Sequence, residues 1–192
     1  MGKLNLILVF VIFYTFSAYS QEKSPFISFE DYDKLVDEVK IHRMARLVDL
    51  DEFISMAKES GVIVLDTRSD SMYNSKHIKG AIHLNFSDFT QSRLAEVIPS
   101  SSTKILIYCN NNFKDDELNF PTKESKPIER IKGGGEDIAD EKRITLALNI
   151  PTYINLYGYG YRNVYELSEL VSVSNPAVEF EGTSVNNETR TR

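Results

Sequence analysis

The chain holds a single cysteine, Cys109, and it directly follows the apolar run Lys104 to Tyr108 (KILIY). A cysteine attacks only as its thiolate, and an unperturbed thiol ionises near pH ~8.5, so chemistry at neutral pH requires surroundings that favour the anion. Backbone N–H groups turned toward one point form such a surrounding, because a concave run of amides binds an anion. Three asparagines come next, Asn110, Asn111 and Asn112, followed by Phe113 and Lys114. Asparagine tolerates left-handed backbone conformations better than most residues, as a tight cradle requires. The candidate site is therefore Cys109 as nucleophile, Asn110 to Phe113 as backbone donors, and Lys114 as a cation at the far end of the loop. The bland alternative is a buried cysteine that merely fills space.

Two buried strands must position this loop. Val62 to Leu65 (VIVL) and Lys104 to Tyr108 are continuous apolar runs, the pattern of strands covered on both faces. Helical spacing recurs between and before them. Phe29, Tyr32, Leu35, Val36 and Val39 form an N-terminal amphipathic helix over 28–41, and Asp49 or Asp51 caps a second helix that stops near Gly61. A further helix is expected over 88–98, a short one over 143–149, and strands over 153–156 and 163–167. Residues 110–141 contain Pro121, Pro127 and Gly133 to Gly135, which oppose regular structure, so a long loop insertion is expected there. Alternating strands and helices indicate an α/β fold with a mainly parallel central sheet flanked by helices on both faces. Ligands bind such sheets outside the carboxyl ends of their strands, which is where Cys109 falls.

Several function classes drop out at this stage. The balance of 28 acidic against 22 basic residues, net −6, offers no basic stripe for a phosphate backbone, so nucleic acid is not an expected partner. His42, His77 and His83 lack paired ligand spacing, and neither a metal nor another cofactor is expected. The first twenty residues carry Lys3, an apolar run from Leu4 to Phe16, and small residues before Gln21, the pattern of a cleaved secretory signal. The expected product is exported, periplasmic or secreted, and free of the membrane after cleavage. Its parts are an N-terminal helical extension over 21–44, one domain over 45–182 and a flexible tail over 183–192.

Taken in order, VIVLDTRS with Asp66 and Arg68, HIKGAIHL with His77, Gly80 and Ala81, KILIYC with Cys109, and NVYEL resemble the rhodanese-like family. The resemblance covers about Ala45 to Gly182. It implies a rhodanese fold and a sulfurtransferase, in which Cys109 takes a sulfane sulfur from a small sulfur-containing anion such as thiosulfate. The persulfide then passes its outer sulfur to cyanide or to a thiol, including a protein thiol. Asp66 and Arg68 are expected as a structural ion pair or capping pair behind the loop, and His77 as a fold-defining residue before Gly80. The sequence departs from the strongly active pattern in three respects. Asn112 stands in place of a loop glycine, Asp115 and Asp116 follow Lys114, and the helix that should start at once begins only near Arg143. Related phosphatases close their cysteine loop with an arginine, and none occurs here between Cys109 and Arg130. The rival readings are a non-catalytic rhodanese-like binding module and a thiol redox sensor.

Overall fold

A computed structural model describes residues 28–125 and 144–185. The signal-like segment, residues 126–143 of the insertion and the end of the tail lie outside the described residues. The centre is a five-stranded sheet in the order β1-β9-β5-β2-β4, parallel throughout. Its strands are β1 (Leu47–Val48), β2 (Ile63–Asp66), β4 (Ile82–His83), β5 (Ile105–Tyr108) and β9 (Val164–Leu167).

Alternation along the strands sorts the core into two layers. Ile63, Leu65, Ile105, Ile107 and Val164 face a layer that includes Val39 of helix α1 (Phe29–Met44), Leu94 of α4 (Gln91–Val97), and Tyr153 and Leu156 of α5 (Asn149–Gly158). Val64, Leu106, Tyr108 and Leu167 face the other layer, against Leu50 and Phe53 of α2 (Leu50–Ala57) and the rings of Phe113 and Phe120. By the same alternation, Cys109 and Glu166 belong to the α1/α5 side. Asp49, one of the two caps expected from sequence, accepts Glu52 N at the start of α2, and Ser28, read as the first residue of the α1 helix, instead caps it by accepting Asp31 N.

Four sequence expectations change. Residues 153–156 lie inside helix α5 rather than in a strand. Their aromatic and β-branched character favours a strand locally, but burial of Thr152, Tyr153 and Leu156 along one helical face decides the outcome. The helix expected over 143–149 starts at Asn149 instead, and Ile144–Thr145 form a strand, β8, antiparallel to β7 (Glu124–Ser125). The opening of the expected long loop is also ordered: Asn110–Asn112 make a 3-10 turn and Phe113–Lys114 form β6, parallel to β10 (Val171–Ser172). Phe113 and Phe120 supply the reason, since both are buried and their ring centroids lie 4.7 Å apart. Finally, the polar segment after Arg68 contains helix α3 (Asp70–Ser75), capped by Ser69, and the short strand β3 (His77–Ile78). Phe180–Glu181 form β11, which pairs antiparallel with β3.

Candidate functional site at the carboxyl ends of β5 and β2

Strand β5 carries Cys109 to the carboxyl edge of the sheet, and the thiol is completely buried, at 0 % exposure. Its Sγ accepts the backbone N–H of Leu148 at 3.1 Å. Leu148 is the N-cap of α5, and its side chain makes no capping hydrogen bond. The insertion therefore leaves the chain and returns, and the helix start that the sequence pattern lacks beside Cys109 is restored in space. Unsatisfied N–H groups at a helix N-terminus carry partial positive charge and favour an anion there. A thiolate at Cys109 is placed to receive that field.

The asparagines serve the site differently from a left-handed cradle. Among described non-glycine residues only Asp115 has positive φ, at 73°. Asn112 N–H bonds to Cys109 O, and Phe113 N–H to Asn110 O, so these two donors close the 3-10 turn. The side chains tie the loop down. Asn112 Oδ1 accepts Cys109 N–H at 2.8 Å while its Nδ2 donates to Leu167 O at 2.7 Å and Glu169 O at 3.1 Å. Asn111 exchanges two bonds with the Lys123 backbone, at 2.7 and 3.0 Å, fastening the loop to the stem of the insertion. Asn110 Oδ1 lies 3.4 Å from Arg68 Nη1. Phe113 is buried in the core, and Lys114 is exposed on β6.

Asp66 and Arg68 form a buried ion pair at 2.7 Å. The fork of Arg68 also donates to Asn119 O at 3.0 Å and Lys76 O at 2.7 Å, and Tyr108 Oη donates to Asp66 at 2.5 Å. Burial, together with the Asp66 carboxylate, pushes the Tyr108 hydroxyl well above the ordinary tyrosine range, so it stays a donor. Burial opposes the charge on Arg68, but the bonds and charge of Asp66 outweigh it and raise the guanidinium. His77 stacks on Tyr73 at 3.7 Å and spends both ring nitrogens, one on Tyr73 O of α3 and one on Glu181 Oε1 of β11, fixing β3 to both. Lys76 pairs with Asp116 at 3.0 Å.

Two cavities are lined by neighbours of Cys109, which itself lines neither. One, of about 380 Å³, is lined by Asn111, Asn112, Asn149, Glu166 and Arg43, among others. The second, of about 300 Å³, is lined by Arg68, Ser69, Asn110, Lys123 and Leu148, and among the described residues no carboxylate lines it. Sequence reasoning missed Leu148, Asn149 and Glu166. The signal for Glu166 is a carboxylate in NVYEL, a strand that the fold buries on both faces.

The family model for the rhodanese-like domain matches residues 49–169. The chain belongs to the rhodanese-like family. A rhodanese-like domain places it among the sulfurtransferases and related modules. No curated protein matches the chain. Solved structures to which it is similar include the crystal structure of the Alr3790 protein from Anabaena sp., at 20% identity with 75% of this chain and 87% of that one covered and a TM-score of 0.40. The solution structure of the rhodanese-like domain of Alr3790 is 20% identical, with 73% and 81% covered and a TM-score of 0.43. The BH2092 protein from Bacillus halodurans is 16% identical, with 81% and 86% covered and a TM-score of 0.43. Among the described residues no helix is long and apolar enough to cross a membrane.

Proposed function

We propose that the protein is an exported sulfurtransferase that carries a sulfane sulfur on Cys109. The observation that carries this reading is the Leu148 N–H directed at the Cys109 sulfur, a donor from a helix N-terminus that favours the thiolate. The thiolate attacks the outer sulfur of a thiosulfate-like anion; the S–S bond of the donor breaks, sulfite leaves with its electron pair, and Cys109 becomes a persulfide. Cyanide or an acceptor thiolate then attacks the outer sulfur, and Cys109 leaves as the thiolate. The cavity bounded by Arg68, Lys123 and Leu148 is the place we assign to the donor, with Lys123 as its exposed cation, since Arg68 is already paired with Asp66. The signal-like pattern of residues 1–20 supports export.

Thiocyanate production from thiosulfate and cyanide tests the reading. Wild-type protein forms thiocyanate and Cys109→Ala does not, while both melt alike; equal rates from the two proteins refute it.

A second reading rests on the complete burial of Cys109 and on the side-chain bonds that lock its loop. A non-catalytic rhodanese-like module would hold its cysteine in this way and present the insertion to another exported protein. Absence of transfer from thiosulfate and from other sulfane donors selects this reading.

A further inference from the structure

Helix α1 lies outside the matched family region, yet hydrogen bonds run from it to Asn149, the residue that follows the sulfur's donor Leu148. Arg43 of α1 grips Glu166 of β9 with both arms of its fork, Nε to Oε2 and Nη2 to Oε1, each at 2.5 Å. Asn149 Nδ2 donates to the same Glu166 Oε1 at 2.5 Å. Asn149 is the first residue of α5 and adjoins Leu148, whose N–H meets Cys109 Sγ at 3.1 Å. We propose that Arg43, Glu166 and Asn149 are positioning residues: they orient the first turn of α5 toward Cys109 and cancel the charge of Glu166 beside it, so that α1 is part of the sulfur site. The proposal rests on the reading that Cys109 works as a thiolate.

Three features separate this arrangement from an ordinary clamp. Glu166 is buried, at 1 % exposure, and a lone buried carboxylate on the cysteine's side of the sheet would oppose a second anion. Arg43 removes that opposition. Asn149 is oriented by chemistry, because a carboxylate accepts only, so the NH₂ end must face Glu166. Its Oδ1 is then left buried without a partner, a cost that structures carry at working positions more than elsewhere. Lastly, α5 has no side-chain cap, so its first N–H groups are not consumed by one and Leu148 serves the sulfur.

Among the described residues, the other charged groups near the thiol include Glu124 of β7, which lines the cavity shared by Arg43, Asn149 and Glu166. Asp66 and Arg68 at the end of β2 pair with each other, and Glu169 after β9 accepts Leu50 N–H. Lys123 of the insertion stem is exposed, and the first turn of α5 carries no acidic side chain. Among the described residues, Arg43–Glu166 is the ion pair that joins α1 to the sheet on the α1/α5 side, with Arg46 also acting on that layer through Tyr153.

Because the chain has one cysteine, ¹³Cβ-cysteine labelling reports its titration by NMR without ambiguity and without needing solvent access. Arg43→Met should move the titration midpoint up by about one pH unit, a tenfold loss of thiolate at a fixed lower pH. Glu166→Gln should move it down, and Arg43→Met/Glu166→Gln should return it close to the wild-type value. A structural clamp predicts no such opposite signs and no rescue. Midpoints equal to wild type in the folded single variants overturn the proposal; if Arg43→Met does not fold, an unshifted Glu166→Gln does so alone. Mass measurement of wild type after thiosulfate is independent of these titrations. Shifted midpoints in a protein that never gains sulfur support the relay and sink the sulfurtransferase reading, whereas sulfur gain with unshifted midpoints does the reverse.

Discussion

Deleting one N–H group tests how the helix start acts on the sulfur. Leu148 has φ −69° and ψ −18°. Proline is fixed near φ ~−65°, so Leu148→Pro fits the backbone and removes the N–H. The Leu148 carbonyl still accepts Thr152 N–H, which holds the first turn of α5. A hydrogen bond to a charged group contributes about 1.5–3 kcal/mol, and one pH unit corresponds to about 1.4 kcal/mol, so the thiol midpoint should rise by roughly one to two units. At a pH below the midpoint the thiolate fraction then falls about 10- to 100-fold. The sulfur's intrinsic nucleophilicity rises with its basicity, with a slope of about 0.4–0.5, and offsets part of this loss. The net expectation is sulfur uptake slowed by about 3- to 15-fold wherever the thiol form predominates, with the deficit closing at alkaline pH. Stopped reactions with thiosulfate, analysed by intact mass across pH, measure it, with Leu148→Ala as a control that keeps the N–H. A Leu148→Pro protein that folds and reacts with the rate and pH profile of Leu148→Ala would refute the argument.

Other consequences concern the scaffold. Arg68→Met leaves Asp66 buried and unpaired, and should cost about 3–5 kcal/mol in urea unfolding, with Asp66→Asn/Arg68→Met recovering much of it; a single variant as stable as wild type would show the pair to be dispensable. Asp116 is subject to burial, which raises its pKa, but bonds from Asn119 and Lys76 prevail and hold it below the usual carboxylate range. A depressed carboxyl stabilises the fold above about pH 4 and loses that contribution as pH falls through its folded value. Melting curves of wild type and Asp116→Asn should therefore differ most near neutral pH and converge in acid; a difference constant with pH would contradict this. Gly182 has φ 132°, and a Cβ there would stand 2.4 Å from Ser75 O, a backbone atom. Gly182→Ala should thus destabilise the β3–β11 joint by about 1–3 kcal/mol, visible as a lowered melting temperature; an unchanged one would refute the clash.

The sheet and the position of its cysteine were legible because VIVL and ILIY are continuous apolar runs, the pattern of strands buried on both faces. Helix α1 was legible from its spacing, Val39 on its apolar stripe included, though not the reach of Arg43 to Glu166, a contact 123 residues apart. Helix α5 was misread as a strand over 153–156 because local preference there favours one and tertiary burial overrides it. Its return to Cys109 could not be read at all: the donor is a backbone group 39 residues away, and a backbone N–H leaves no trace in residue type. The asparagines were chosen for backbone freedom and act instead through their amides, since a residue able to adopt positive φ need not do so.

The central claim is that Cys109 carries sulfur, and intact mass of the purified protein tests it most directly. After incubation with thiosulfate, the wild-type chain should gain the mass of one sulfur atom and lose it on adding cyanide, while Cys109→Ala gains none. A wild-type mass unchanged by thiosulfate and by other sulfane donors, in a folded protein, would contradict the account.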